Sequence, residues 1–232
     1  MKLFPVAILA GGLATRLKPI TEKIPKSLVS IKRKPFIEYQ LSYLKKQGIK
    51  KVILCVGHYG EKIKKKLGNG KKFSIEILYS FDGHKSLGTG GALVKALPLL
   101  GENFFILYGD SFVLANYKVV QSQFILKKKK ALMTVFKNKN KLDRSNVFFK
   151  NKDIICYNKF NPKPKMQFID YGLSILSSSI LKKFKKKNFD LAEVFHYTSN
   201  SNNLVGMEIK KRFYEIGSHK GLKETKKYFN KR

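Results

Sequence analysis

Cysteine is scarce in this chain of 232 residues, and arginine is scarcer than the charge suggests. The two cysteines, Cys55 and Cys156, stand far apart inside apolar stretches. That placement suits small buried thiols and offers neither a disulfide framework nor a metal pair. No apolar run approaches membrane length: the strand-like stretch that follows Met1-Lys2-Leu3-Phe4 is about seven residues, too short for a signal-peptide core or a membrane span. A soluble protein of a reducing compartment, the cytoplasm, is therefore expected. Low-complexity tracts and internal repeats are absent, and Pro and Gly are modest at 7 and 17, which excludes fibrous and disordered classes. The four histidines, His58, His84, His196 and His219, show no metal-ligand spacing and are given no catalytic role.

Positive charge is present in excess, with a formal balance of +33. Such a charge invites a nucleic-acid or anionic-membrane reading. Of the 48 basic residues, however, five are arginine and 43 are lysine, spread over most expected helices and turns. Readers of base sequence lean on bidentate arginine, and no zinc-finger, basic-zipper or RNA-recognition pattern occurs. Specific nucleic-acid binding is not expected; solvated lysine faces and general binding to phosphate polymers or anionic lipid both remain open. Homo-oligomerisation is left open as well.

Along the first half, β-branched apolar runs alternate with amphipathic segments, the pattern of βαβ units and a parallel sheet. Strands are expected over Pro5 to Ala10, Lys51 to Val56, Ile75 to Tyr79 and Phe104 to Tyr108. Helices are expected over Phe36 to Gln47, stopped by Gly48, over Tyr59 to Leu67, stopped by Gly68, and over Gly91 to Leu97, stopped near Pro98. From about Lys130 the runs shorten: Ala131 to Phe136, Asn146 to Phe149, Ile154 to Tyr157 and Leu173 to Leu176, with Asn158 to Lys165 as an exposed loop. Helices return at Ser178 to Lys187, Leu191 to Tyr197 and Lys220 to Phe229. The expected architecture is a single α/β domain over 1–232, with a Rossmann-like doubly wound mixed sheet and a small β-rich subdomain.

The strand Val6-Ala7-Ile8-Leu9-Ala10 empties into Gly11-Gly12-Leu13-Ala14-Thr15-Arg16-Leu17, followed by Pro19, Thr21, Pro25 and Lys26. Paired glycines let backbone N–H groups approach a phosphate, and Arg16 adds a planar, permanently charged donor set. The spacing fits neither the dinucleotide G-x-G-x-x-G nor the P-loop. A second glycine-rich run, Leu87-Gly88-Thr89-Gly90-Gly91-Ala92-Leu93, opens a helix, whose N-terminus favours negative charge. A third element, Phe104 to Tyr108 followed by Gly109-Asp110, sets a carboxylate just beyond a strand, where open α/β sheets bind ligands. On its own such an Asp is equally a turn former or a helix cap.

Taken together these strings resemble the sugar-1-phosphate nucleotidyltransferase family, whose signature G-G-x-x-T-R-L-x-P-x-T-x-x-x-P-K is matched at every fixed position from Gly11 to Lys26. The resemblance implies the nucleotide-diphospho-sugar transferase fold, with 1–130 as a nucleotide-binding half and 131–232 as a sugar-binding half. It implies that a nucleoside triphosphate and a sugar 1-phosphate are the partners. Leu9, Gly11, Gly12, Thr15, Gly88, Thr89 and Gly90 would then hold the nucleotide, with Arg16, Lys26 and Asp110 as catalytic groups. Gly109, Lys159, Asp170 and Gly172 would hold the sugar phosphate. Lys159 stands in Tyr157-Asn158-Lys159-Phe160, where the family reads E-K-P, and chance adjacency is a serious rival in so lysine-rich a chain. A Mg²⁺ cofactor is implied, on Asp110 and on Glu215 of Phe213-Tyr214-Glu215-Ile216-Gly217-Ser218. The family usually has Asp there; the longer Glu arm leaves direct and water-mediated coordination both open. Leu87 to Leu93 and the string Asp170-Tyr171-Gly172-Leu173-Ser174-Ile175-Leu176 look most like enzymes that activate heptose or mannose 1-phosphates with GTP. UTP, CTP or dTTP with a hexose 1-phosphate, CTP with phosphocholine, and a non-catalytic nucleotide-sugar or polyanion-binding module are the alternatives.

Overall fold

The structure, a computed structural model, describes residues 1–12, 15–151 and 153–231. Its strands are β1 (Val6–Leu9), β2 (Ser30–Ile31), β3 (Lys34–Pro35), β4 (Lys51–Val56), β5 (Glu76–Phe81), β6 (Asn103–Tyr108), β7 (Ser111–Phe112), β8 (Ala131–Lys137), β9 (Val147–Lys150), β10 (Asp153–Tyr157), β11 (Phe168–Ser177), β12 (Leu204–Glu208) and β13 (Tyr214–Glu215). The helices are α1 (Phe36–Gln47), α2 (Gly60–Leu67), α3 (Gly88–Leu100), α4 (Tyr117–Lys127), α5 (Ser178–Leu181), α6 (Leu191–Asn200) and α7 (His219–Asn230).

Nine strands form one sheet in the order β10-β9-β11-β6-β1-β4-β5, with β8 on β11 and β12 on β8. The block β6-β1-β4-β5 is parallel, and β11 runs antiparallel to β6. Successive strand residues face opposite sides, so β1 alone shows both layers. Val6 and Ile8 join the core formed with Leu41 of α1, Ile63 of α2 and Phe124 of α4. Ala7 joins the core formed with Leu93 of α3 and Phe195 of α6. The sheet is thus doubly wound and mixed, and the shorter strands of the second half extend it rather than forming a sheet of their own.

Two expectations need correction, and two elements lie beyond them. α3 begins at Gly88 and runs through Pro98 to Leu100. The buried Leu100 side chain holds the last turn against the core, and Gly101, at φ +80°, closes it. The helix expected over Ser178 to Lys187 is one turn, Ser178–Leu181, because the chain then crosses to dock on the start of α3. α4 and β12 were not anticipated. In α4 the apolar residues do not keep to one face: Val120 and Phe124 are buried while Val119, Ile125 and Leu126 are exposed, so periodicity fails to mark it.

Candidate functional site

The carboxyl ends of β1, β4 and β6 open into a cleft, as open parallel sheets require. At the end of β1, Gly11 lies against Gly57 after β4, and a Cβ on Gly57 would meet Gly11 O at 2.6 Å. This close passage forms one wall of a cavity of about 200 Å³ lined by Leu9, Gly11, Gly12, Lys26, Ser27, Asp82, Gly88, Thr89, Gly109 and Asp110. Cys55 also lines it; burial, aided by the negative charge of Asp82, pushes its thiol up to about 12. Leu13 and Ala14, two of the unspecified positions of the first motif, lie outside the described residues.

A larger cavity of about 450 Å³ adjoins the first, and Thr89, Tyr108 and Asp110 line both. At the junction the Lys26 ammonium donates to Asp110 Oδ2 at 2.8 Å. Asp110 Oδ1 accepts from the Ser111 hydroxyl at 3.2 Å. The small ladder of β7 with β13 sets Glu215 opposite Ser111, and Ile216 N–H donates to Asp110 O at 2.9 Å. Two carboxylates distant in sequence therefore converge: a Cβ on Gly217 would lie 2.8 Å from Glu215 Oε2, 3.1 Å from Asp110 Oδ2 and 3.4 Å from Arg16 Nη2. Glu215 Oε2 also accepts from the Gly217 and Ser218 N–H groups, and Oε1 from the Ser218 hydroxyl at 2.6 Å.

The far wall of the larger cavity comes from β11. This strand pairs with β6 from Leu173 to Ser177, so Phe168 to Gly172 project beyond the carboxyl end of β6 and overhang the cleft. Its register shifts between Asp170 and Ser174, and Gly172, at φ +95°, turns back to donate its N–H to Asp170 Oδ1 at 2.9 Å. Asp170 is recessed with part of its surface open to the cavity. Burial pushes its carboxyl up to about 6, against the opposing pull of the Gly172 N–H, the Lys159 charge and the Tyr108 hydroxyl. Facing it, Lys159 Nζ donates to Asp190 Oδ2 at 2.7 Å. Burial would raise Asp190, but the Ala192 N–H, the Lys159 ammonium and the Thr89 hydroxyl outweigh it and hold the carboxyl below its usual range.

Most of the residues singled out in the sequence thus meet on two joined cavities: Leu9, Gly11, Gly12, Lys26, Gly88, Thr89, Gly109, Asp110, Arg16, Lys159, Asp170 and Glu215. Thr15, exposed in the single 3-10 turn Thr15–Leu17, lines neither. Gly172 lines neither and donates its N–H to Asp170 Oδ1. Gly90 lies inside α3, where a Cβ would meet the Phe189 ring at 2.1 Å, so packing rather than a ligand demands its glycine. Sequence reading passed over Asp82, Tyr108 and Asp190. Asp82 and Tyr108 sit at the ends of strands, where position alone is the signal, and Asp190 looks like an ordinary cap before a helix.

Seven of the fifteen carboxylates line the cleft: Asp110, Asp143, Asp170, Asp190, Glu215 and Glu224 on the larger cavity and Asp82 on the smaller. The lysine excess is consequently concentrated outside it. Among the described residues, no cluster of three or more His, Cys, Asp and Glu side chains forms a protein-only metal site. Among them, too, no helix is long and apolar enough to cross a membrane.

The sequence profile of the nucleotidyl transferase family matches residues 6–231. The D-glycero-alpha-D-manno-heptose 1-phosphate guanylyltransferase of Campylobacter jejuni is 35% identical over 181 residues, covering 76% of this chain and 77% of that enzyme. Its namesake from Aneurinibacillus thermoaerophilus is 32% identical over 183 residues, covering 78% and 67%. The crystal structure of HddC from Yersinia pseudotuberculosis complexed with GMP-PN shares the fold, with a TM-score of 0.82 at 22% identity over 98% of this chain and 100% of that one. With its signature glycines, Lys26 and Asp110 gathered on one cavity, this chain belongs to the nucleotidyl transferase family.

Proposed function

We propose that this chain joins GTP to a sugar 1-phosphate, D-glycero-D-manno-heptose 1-phosphate or mannose 1-phosphate, giving a GDP-sugar and pyrophosphate. A phosphate oxygen of the acceptor attacks the α-phosphorus of GTP in line, and the bond to the β-phosphate oxygen breaks. The observation that carries this reading is the pair of cavities meeting at Thr89, Tyr108 and Asp110. Two ligands so placed meet at that wall, and holding them there supplies most of what phosphoryl-type transfer needs. The smaller cavity takes the nucleotide against Leu9, Gly11, Gly12, Gly88 and Thr89, while Thr15 and Gly90 stay outside its lining. The larger takes the acceptor against Lys159 and Asp170, with Gly109 at the junction and Gly172 behind Asp170. Residues 1–130 thus serve the nucleotide and 131–232 mainly the sugar. Arg16 and Lys26 neutralise charge on the departing pyrophosphate and the reacting phosphates.

Guanine is favoured by Asp82. Its carboxylate lines the nucleotide cavity and accepts a long hydrogen bond, 3.4 Å, from Leu87 N–H. A carboxylate matches the adjacent N1–H and N2–H₂ donors of guanine, whereas uracil and thymine offer one N–H between two carbonyls. Mg²⁺ suits the donor set: two hard carboxylates, Asp110 and Glu215, converge on one point beside the space for phosphate oxygens. Bound there, the ion would add positive charge against the phosphates. Asp110 would hold it on exchange of Lys26 toward phosphate; Glu215 would hold it through its remaining lone pairs or a water.

A pyrophosphate-release screen of GTP, UTP, CTP and dTTP against phosphorylated acceptors tests the reading. GTP with a heptose or mannose 1-phosphate should turn over, and Asp110→Asn should abolish release while melting normally. Turnover with UTP alone overturns the base; near-normal release by Asp110→Asn overturns the assignment of the junction.

A further inference from the structure

Asp190 is the N-cap of α6, and its Oδ1 accepts from Ala192 N–H at 2.8 Å and from the Thr89 hydroxyl at 3.2 Å. A cap needs only that one oxygen, and Ser or Asn would supply it equally well. The second oxygen, Oδ2, is spent on Lys159 at 2.7 Å. Thr89 in turn accepts from Leu191 N–H at 2.7 Å, and its side of the cleft borders both cavities. The surrounding backbone is clasped just as closely: Gly90 N–H donates to Phe189 O at 2.9 Å, and a Cβ on Gly91 would meet Lys187 O at 2.2 Å. The Lys159–Asp190 pair is too exposed, at 51% and 36%, to add much stability. Its value is directional.

We infer that Asp190 is a positioning residue that fixes the Lys159 ammonium over the acceptor site and ties it through Thr89 to the wall of the nucleotide cavity. A free lysine on an exposed loop samples many rotamers, and holding one of them lowers the entropy lost when the acceptor phosphate docks. Segment 187–191, clasped against the start of α3, then keeps that ammonium in register with the nucleotide. The inference rests on the reading of Lys159 as the acceptor-phosphate ligand.

A double-mutant cycle of Asp190→Asn and Lys159→Met, assayed with GTP and the acceptor found by the screen, tests it. Asn keeps the Oδ1 bonds to Ala192 and Thr89 but turns an amide N–H₂ toward Lys159, so the cap survives while the ion pair is lost. The acceptor KM should rise about tenfold, the low end for a hydrogen bond to a charged group, with the GTP KM and melting temperature unchanged. In the Lys159→Met background the same substitution should cost nothing further. An equal cost in both backgrounds, or none in the parent, overturns the inference and spares the role of Lys159. If Lys159→Met alone leaves the acceptor KM unchanged, the reading of Lys159 fails and this inference fails with it.

Discussion

Replacing Asp170 by Asn should stabilise the free protein, and more so as pH rises. The native carboxyl titrates at about 6 against an ordinary 3.8, because burial in the wall of the larger cavity penalises its charged form. The native state therefore binds the proton more tightly than the unfolded chain. Stability contributed by this group is complete below pH 3.8 and is lost as pH rises through about 6. Charging Asp170 costs the native state up to about 3 kcal/mol at pH 8 and about half of that at pH 5. Asn keeps an oxygen for the Gly172 N–H, which Asp170 Oδ1 now accepts at 2.9 Å, and carries no charge to bury. The other titrating groups are common to both proteins, so the difference isolates Asp170 and its coupling to Lys159 and Asp190. The melting temperature of the variant minus that of the parent should widen by about 3–6 °C between pH 5 and pH 8 for a chain of this size. Thermal melts in matched buffers at constant ionic strength measure it. A gap that stays flat, or narrows, with rising pH refutes the argument that Asp170 is charged at a cost in the free protein.

Asp82→Asn should lower the preference for GTP over UTP about ten- to hundredfold in kcat/KM, the range for losing hydrogen bonds to a charged acceptor; an unchanged ratio removes Asp82 from base selection. Gly91→Ala exchanges a poor helix former for the best one, yet it should destabilise the protein by about 1–3 kcal/mol, because the new methyl meets a backbone carbonyl rather than a movable side chain. Denaturant unfolding measures this, and a gain in stability would mean that segment 187–191 is not held against α3.

Much of the smaller cavity was legible in the sequence because its determinants are local. Gly11, Gly12, Arg16 and Lys26 lie within one short string, and Asp110 stands just beyond a strand, so spacing together with the family resemblance placed them on one end of the sheet. β4 and α1 were also legible to the residue, since β4 is a short unbroken apolar run and α1 keeps a helical period and ends at a glycine. The larger cavity was less so. Glu215 reaches Asp110 only because β13 pairs with β7, and Asp170 enters the cleft only because β11 shifts register past the end of β6. The glycines at 88, 90 and 91 read as a ligand loop, but Gly90 and Gly91 are required by the crossing of Phe189 and Lys187.

By itself, then, the sequence determined the fold class, because hydrophobic period and backbone permissiveness act over a few residues at a time, and its motif from Gly11 to Lys26 carried the resemblance to the family. Only the tertiary structure decided how the two cavities join, that nearly half of the carboxylates gather in the cleft of a strongly basic chain, and that Asp190 links Lys159 to Thr89. Those relations depend on strand pairing and loop crossings between segments far apart in the chain, and no local pattern of residues encodes the distance between them.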